Sequence, residues 1–145
     1  MNTQPQTTVK NSLTKQNDPM IQIHSNLEKL LESKQKALPN DFNQTRFLQN
    51  CMTVLQDTKG IEKMQPLSVA RTMLKGAFLG LDFFRKECYA IPYGDELNFQ
   101  TDYKGDKKIA KKYSLRPIKE IFAKVVREGD LYEEKIINGA LKYNL

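Results

Sequence analysis

Residues 91–130 read IPYGDELNFQTDYKGDKKIAKKYSLRPIKEIFAKVVREGD. A turn at Pro92-Tyr93-Gly94-Asp95 separates the short apolar run Cys88-Tyr89-Ala90-Ile91 from residues 97–101, which alternate, and this is the pattern of a β-hairpin. Residues 105–114 return to a helical period, and residues 117–127 read as a strand carrying Ile118, Ile121, Phe122, Val125 and Val126. Glu128-Gly129-Asp130 turns the chain, residues 131–137 read as a further strand, and Asn138-Gly139 is a strong two-residue hairpin signal. The fold class is therefore α+β, with N-terminal helices followed by a β-hairpin, a basic helix and further antiparallel strands. After Asn138-Gly139 only residues 140–145 are left for the returning strand, so an edge with unpaired amides and carbonyls is expected. Either another chain covers that edge, or the C-terminal part of the sheet is missing.

The same stretch holds the charge. Between residues 103 and 127 lie nine basic residues, Lys104, Lys107, Lys108, Lys111, Lys112, Arg116, Lys119, Lys124 and Arg127, opposed only by Asp106 and Glu120. That segment is +7 in a protein of net charge +6, so the basicity is focused. On a helical wheel, Lys104, Lys107, Lys108, Lys111 and Lys112 fall on one arc of roughly 140°, with Ile109, Ala110 and Tyr113 opposite. One face can pack on the sheet while the other presents a ridge of ammonium groups, which suit phosphate better than a base edge. A lysine ridge on a soluble helix is commonly no more than a solvated face. Three features argue otherwise. Few carboxylates are interleaved for i,i+4 pairing, the next segment continues the same sign, and the aromatics Tyr93, Phe99, Tyr103 and Tyr113 lie at the margins. Charge along a backbone with rings available for stacking is the composition of a groove for single-stranded nucleic acid.

Working outward, residues 1–18 are rich in Gln, Asn, Thr and Lys and read as a disordered arm. Residues 19–145 form one α+β domain. Residues 19–37 show Ile23, Leu27, Leu30 and Leu31 at helical spacing after the start signal Asp18-Pro19, and Pro39 ends that helix. A second helix is expected from Asp41, whose side chain can cap its first turn, with Phe42, Phe47, Leu48, Cys51, Val54 and Leu55 on its apolar face and Gly60 as its stop. A third opens at Gln65-Pro66-Leu67-Ser68 and ends at Gly80, a suitable left-handed cap. These helices carry packing and little chemistry.

Several function classes find no support. No apolar run approaches the ~20 residues of a membrane span, and the N-terminus lacks the apolar centre of a signal peptide, which places the chain in the cytoplasm. The basic helix has no large apolar face for lying on a membrane. With His24 as the one histidine and Cys51 and Cys88 far apart, spacing assembles no zinc framework, and the cysteines read as reduced, semi-buried thiols. There is no GxxxxGK[ST] sequence for a phosphate loop. Asp95, Glu96, Asp102 and Asp106 follow no nuclease spacing and read better as turn acids. Neither a catalytic residue nor a cofactor is expected.

Four blocks of this sequence resemble the RecT family of phage single-strand annealing recombinases. They are PLSVARTMLKGAFLGLD, CYAIPYG, FQTDYKG with its following Lys-rich helix, and AKVVREGD, together spanning about residues 60–135. The family's FQ-x-GY-[KR]-G motif falls on Phe99, Gln100, Tyr103, Lys104 and Gly105, its helical basic position on Lys112, and its V-x-EGD motif on Val126, Glu128, Gly129 and Asp130. Asp102 and Ser114 stand where many members have Gly, and Asp106-Lys107 replaces a commonly apolar pair, which makes this helix more basic. The resemblance implies a protein that coats single-stranded DNA and anneals it to a complementary strand without ATP. It also implies a homo-oligomer, often beside a phage exonuclease partner, in the cytoplasm of a bacterial host. The expected DNA-binding residues are Tyr103, Lys104, Lys107, Lys108, Lys111, Lys112, Arg116, Lys119 and Arg127, with Tyr93, Phe99 and Gln100 as stacking or motif positions. Family members continue well beyond Leu145, so the chain reads as a truncated member. The competing reading is a nucleic-acid-binding or oligomerisation module without annealing activity.

Overall fold

A computed structural model describes residues 18–121, 125–131, 133–137 and 140–144. The expected arm lies outside the described residues, apart from Asp18. Contacts divide the chain into two compact units, residues 1–115 and 116–145.

The first unit is built on three helices. Helix α1 (Pro19–Ser33) starts where the Asp18 carboxylate accepts the Met20 amide at 2.9 Å, with Pro19 in the first turn. It buries Ile23, Leu27 and Leu31, one residue per turn on a single face. It stops at Ser33, short of the expected residue 37, and a short 3-10 turn (Gln35–Ala37) leads to Pro39. Helix α2 (Gln44–Gln56) is capped by Asn43, whose side-chain oxygen accepts the Arg46 amide at 2.9 Å. The expected cap, Asp41, lies two residues too early, in a turn where the Phe42 amide bonds the Pro39 carbonyl at 3.0 Å. Helix α2 buries Phe47, Leu48, Cys51 and Leu55. Gly60, at φ 85, opens a 3-10 turn (Ile61–Lys63) before α3.

Helix α3 (Pro66–Leu79) is the centre of the core, burying Val69, Ala70, Thr72, Met73, Leu74, Gly76 and Ala77. It ends on Gly80 at φ 66, as the sequence indicates. A Cβ on Gly76 would stand 2.6 Å from the Phe83 ring, so this helix accepts that ring only because the position is bare. Phe83 continues an aromatic row, with centroids 5.1 Å apart for Phe42–Phe47, 6.2 Å for Phe47–Phe83 and 6.0 Å for Phe83–Phe99.

Strands β1 (Cys88–Tyr93) and β2 (Glu96–Thr101) form the expected hairpin, pairing Cys88 with Thr101 and Tyr93 with Glu96. Gly94, at φ 61, supplies the left-handed first position of the two-residue turn. A two-residue turn makes Tyr93–Glu96 the hydrogen-bonded closing pair, so by alternation Pro92–Leu97 is a non-bonded pair and the missing Pro92 N–H costs nothing. The Leu97 carbonyl then points off the ladder, where the buried Thr72 hydroxyl donates to it at 3.0 Å. That bond joins hairpin to α3. Helix α4 (Tyr103–Tyr113) follows β2 after the single residue Asp102.

In the second unit, Gly129 at φ 95 and Asp130 close a turn, with the Asp130 carboxylate accepting the Arg127 amide at 2.8 Å and the Asp130 amide bonding the Arg127 carbonyl at 3.1 Å. Strands β3 (Glu133–Ile137) and β4 (Ala140–Asn144) pair antiparallel, Ile137 with Ala140, as the sequence leads one to expect. The turn residues Asn138 and Gly139 lie outside the described residues. The strand expected over 117–127 is corrected: residues 117–121 and 125–127 form no strand. Its apolar residues recur at intervals of three and four, not two, so no single strand face collects them, and Pro117 has no amide to donate.

Candidate nucleic-acid interface

The basic helix is anchored at its first turn. The Asp102 amide donates to the Glu87 carbonyl at 3.0 Å, and Gly105 is buried against the same residue. A Cβ on Gly105 would overlap the Glu87 carbonyl oxygen and come within 3.2 Å of a Leu81 methyl. Gly105 and Ile109 are thus the packing side of α4. Tyr113, expected to pack opposite the lysines, is 59% exposed.

This rotation divides the lysines. At 100° per residue, Lys112 and Lys108 lie about 40° and 80° from the packing direction, whereas Lys104, Lys111 and Lys107 lie about 120–180° away. Lys108 reaches back to the core: its Nζ donates to the Gly80 carbonyl at 2.7 Å and to Glu87 Oε2 at 2.8 Å. An ammonium on the last carbonyls of α3 also complements that helix's dipole. Glu87 Oε2 accepts the Asp82 amide at 3.0 Å, so this lysine locks a turn, and its charge is already answered. A second ion pair joins Lys135 and Glu133, and neither pair involves another lysine of α4. Lys104, Lys107, Lys111 and Lys112 therefore have no carboxylate partner among the described residues. The Lys107 ammonium lies 5.3 Å from the Tyr103 ring centroid and that of Lys112 5.7 Å from Tyr113, which places both exposed rings beside the cations.

Of the expected aromatic and motif positions, Tyr93 is 79% exposed, and Gln100 lies on the outer hairpin face. Phe99 lies on the inner face, its ring edge-on to Phe83, and belongs to the core. The outer face also carries Tyr89 and Ile91, which together with Tyr93 make an exposed apolar row opposite Gln100, Asn98 and Glu96. The sequence reading passed over Tyr89 as part of an apolar run, although its alternation with Cys88 and Ala90 was the available signal. Arg116, Lys119 and Arg127 are exposed residues of the second unit. Lys124 lies outside the described residues.

No group of three His, Cys, Asp or Glu side chains could hold a metal ion among the described residues. Asp95 occupies the hairpin turn, and Asp102 and Asp106 the start of α4. Both thiols are fully buried and unpaired. Burial foremost, then the Glu87 and Asp82 charges, pushes the Cys88 thiol up to about 12, against a smaller opposing effect of Lys108. Burial likewise raises Cys51. No helix among the described residues is long and apolar enough to cross a membrane.

Two cations that the sequence reading left out join this region. Arg46 of α2 and Arg85 of the loop after α3 line a cleft of about 490 Å³ together with Lys108 and Lys112. They lie far from residues 103–127 in sequence, so no local pattern connects them.

Among known protein families, the model of the RecT family matches residues 45–144. No curated protein and no solved structure matches the chain.

Proposed function

The chain belongs to the RecT family, and on that footing we propose that it binds single-stranded DNA and anneals complementary strands without ATP. The observation that carries this reading is the outward lysine face of α4, where Lys104, Lys107 and Lys111 have no carboxylate partner among the described residues, on a helix fixed by Gly105. Neutralised phosphates no longer keep two complementary strands apart. The exposed row Tyr89, Ile91 and Tyr93 offers bases an apolar surface while they wait to pair. Base pairing supplies the free energy and no covalent bond changes, so the protein is not an enzyme in this reading. A strand longer than one protomer's surface calls for a homo-oligomer, and a phage exonuclease that exposes single strands is the fitting partner, in the cytoplasm of a bacterial host.

With four to six phosphate contacts, log K against log salt falls with a slope of roughly −3 to −4, at about −0.7 per contact for single strands. The test is pairing of two complementary oligonucleotides followed by fluorescence, with and without protein. Faster pairing without ATP supports annealing. Strand binding with no change in pairing rate assigns the chain to the competing class, a binding or oligomerisation module.

A further inference from the structure

The cleft beside α4 lies between three elements of the first unit, the entry to α2, the loop after α3, and α4 itself. Its volume of about 490 Å³ is in the range of about 300–1,000 Å³ that holds small ligands. Pro39, Phe42 and Leu81 give it apolar wall, and Arg46, Arg85 and Lys112 bring one cation from each element. Lys112 Nζ comes close to the end of α3, 3.7 Å from the Cβ position of Gly80, which Pro39 approaches to 3.2 Å.

Two other charged groups of the cleft are hydrogen-bonded in place. Lys108 is bound to Gly80 and Glu87. Asp82 accepts the Asn50 side-chain amide at 2.7 Å and the Phe84 amide at 2.8 Å, with the Arg85 amide at 3.4 Å. These partners of Asp82 are neutral amides that leave its charge in place, so with Asp41 three cations face two carboxylates. The Asp82 bonds hold the turn that carries Arg85, and Lys86 in that turn is at φ 57, a left-handed conformation uncommon outside glycine. Cations placed by a fixed turn, a helix and a second helix, beside an aromatic ring, match one nucleotide better than a bare anion.

We propose that this cleft seats a single nucleotide of the bound strand, its phosphate among Arg46, Arg85 and Lys112 and its base against Phe42 and Pro39. The proposal rests on the strand-binding reading and adds to Lys112 of the basic helix two cations, Arg46 and Arg85, that lie outside that helix and outside the motifs quoted above. It makes the strand leave the lysine face of α4 and enter the cleft past Lys112.

Two measurements on the full chain separate this inference from the reading beneath it. In the first, thymidine 5′-monophosphate, thymidine and inorganic phosphate are titrated while the Nε–H resonances of Arg46 and Arg85 are followed by NMR. The nucleotide shifts both resonances, at least tenfold more tightly than either fragment, and the accompanying shift of the Gly80 backbone amide, which lines the same cleft, is lost in the double variant R46Q/R85Q. No shift, or equal response to inorganic phosphate, overturns the nucleotide site. In the second, oligo-dT binding is titrated with salt. Because both arginines serve one phosphate, R46Q/R85Q weakens oligo-dT binding and makes the slope shallower by at most about 0.7, with unchanged thermal stability because both side chains are exposed. An unchanged slope and affinity overturn the cleft as part of the strand path. Failure of the unaltered chain to bind oligo-dT overturns the strand reading itself, whatever the mononucleotide does.

Discussion

Gly105→Ala tests how the basic helix is held, because packing and intrinsic propensity push its effect in opposite directions. In an exposed helix, exchanging Gly for Ala stabilises by about 1 kcal/mol. Here the added methyl would overlap the Glu87 carbonyl oxygen and press on Leu81. Relieving it means moving the first turn of α4 away from β1. Overpacking of this kind costs about 1–3 kcal/mol, and the Asp102–Glu87 backbone bond lost with it about 0.5–1.5 kcal/mol. Subtracting the propensity gain leaves a net loss of about 0.5–3.5 kcal/mol, or about twofold to three-hundredfold in the docking equilibrium. An eleven-residue helix is too short to persist alone in water, so undocking melts it. Hydrogen exchange should therefore show α4 amides losing protection by that factor while α3 amides keep theirs, and oligo-dT affinity should fall alongside. If Gly105→Ala raises protection in α4, as propensity alone would have it, Gly105 is not the contact that fixes the helix.

Thr72→Val should lower stability by about 1–3 kcal/mol in urea unfolding, since the Leu97 carbonyl loses its donor inside the core; Thr72→Ser should recover most of the loss. Both thiols should resist a disulfide reagent at pH 8 until urea is added, because burial keeps Cys88 protonated up to about 12 and raises Cys51 as well. Modification at the native rate of an exposed thiol would contradict that burial.

Much of the fold was legible because local signals agreed. Asp18-Pro19, the one-per-turn apolar residues of α1, Pro66 at the start of α3 and Gly80 at its end each mark an element independently of tertiary contacts. Gly94 and the alternation around it did the same for the hairpin. The α2 cap was ambiguous because Asp41 and Asn43 are both able to cap, and only backbone geometry selects the residue immediately before Gln44. The segment 117–127 misled because β-branched composition was given more weight than spacing. At the interface, a helical wheel ranks side chains by polarity and assigns no packing role to a bare backbone position. Gly105 was therefore not seen as the contact point, the packing direction came out rotated, and Lys108 was counted with the free lysines. Arg46 and Arg85 were out of reach for a different reason, since only the folded chain brings them beside α4.

The most direct measurement is the salt dependence of oligo-dT affinity for the unaltered chain and for the triple variant K104Q/K107Q/K111Q, all three side chains pointing away from the core. If α4 carries the strand, the unaltered slope lies at roughly −3 to −4, and removing three contacts makes it shallower by about 2, with urea stability unchanged. An equal slope and affinity in the two proteins would show that the strand binds elsewhere.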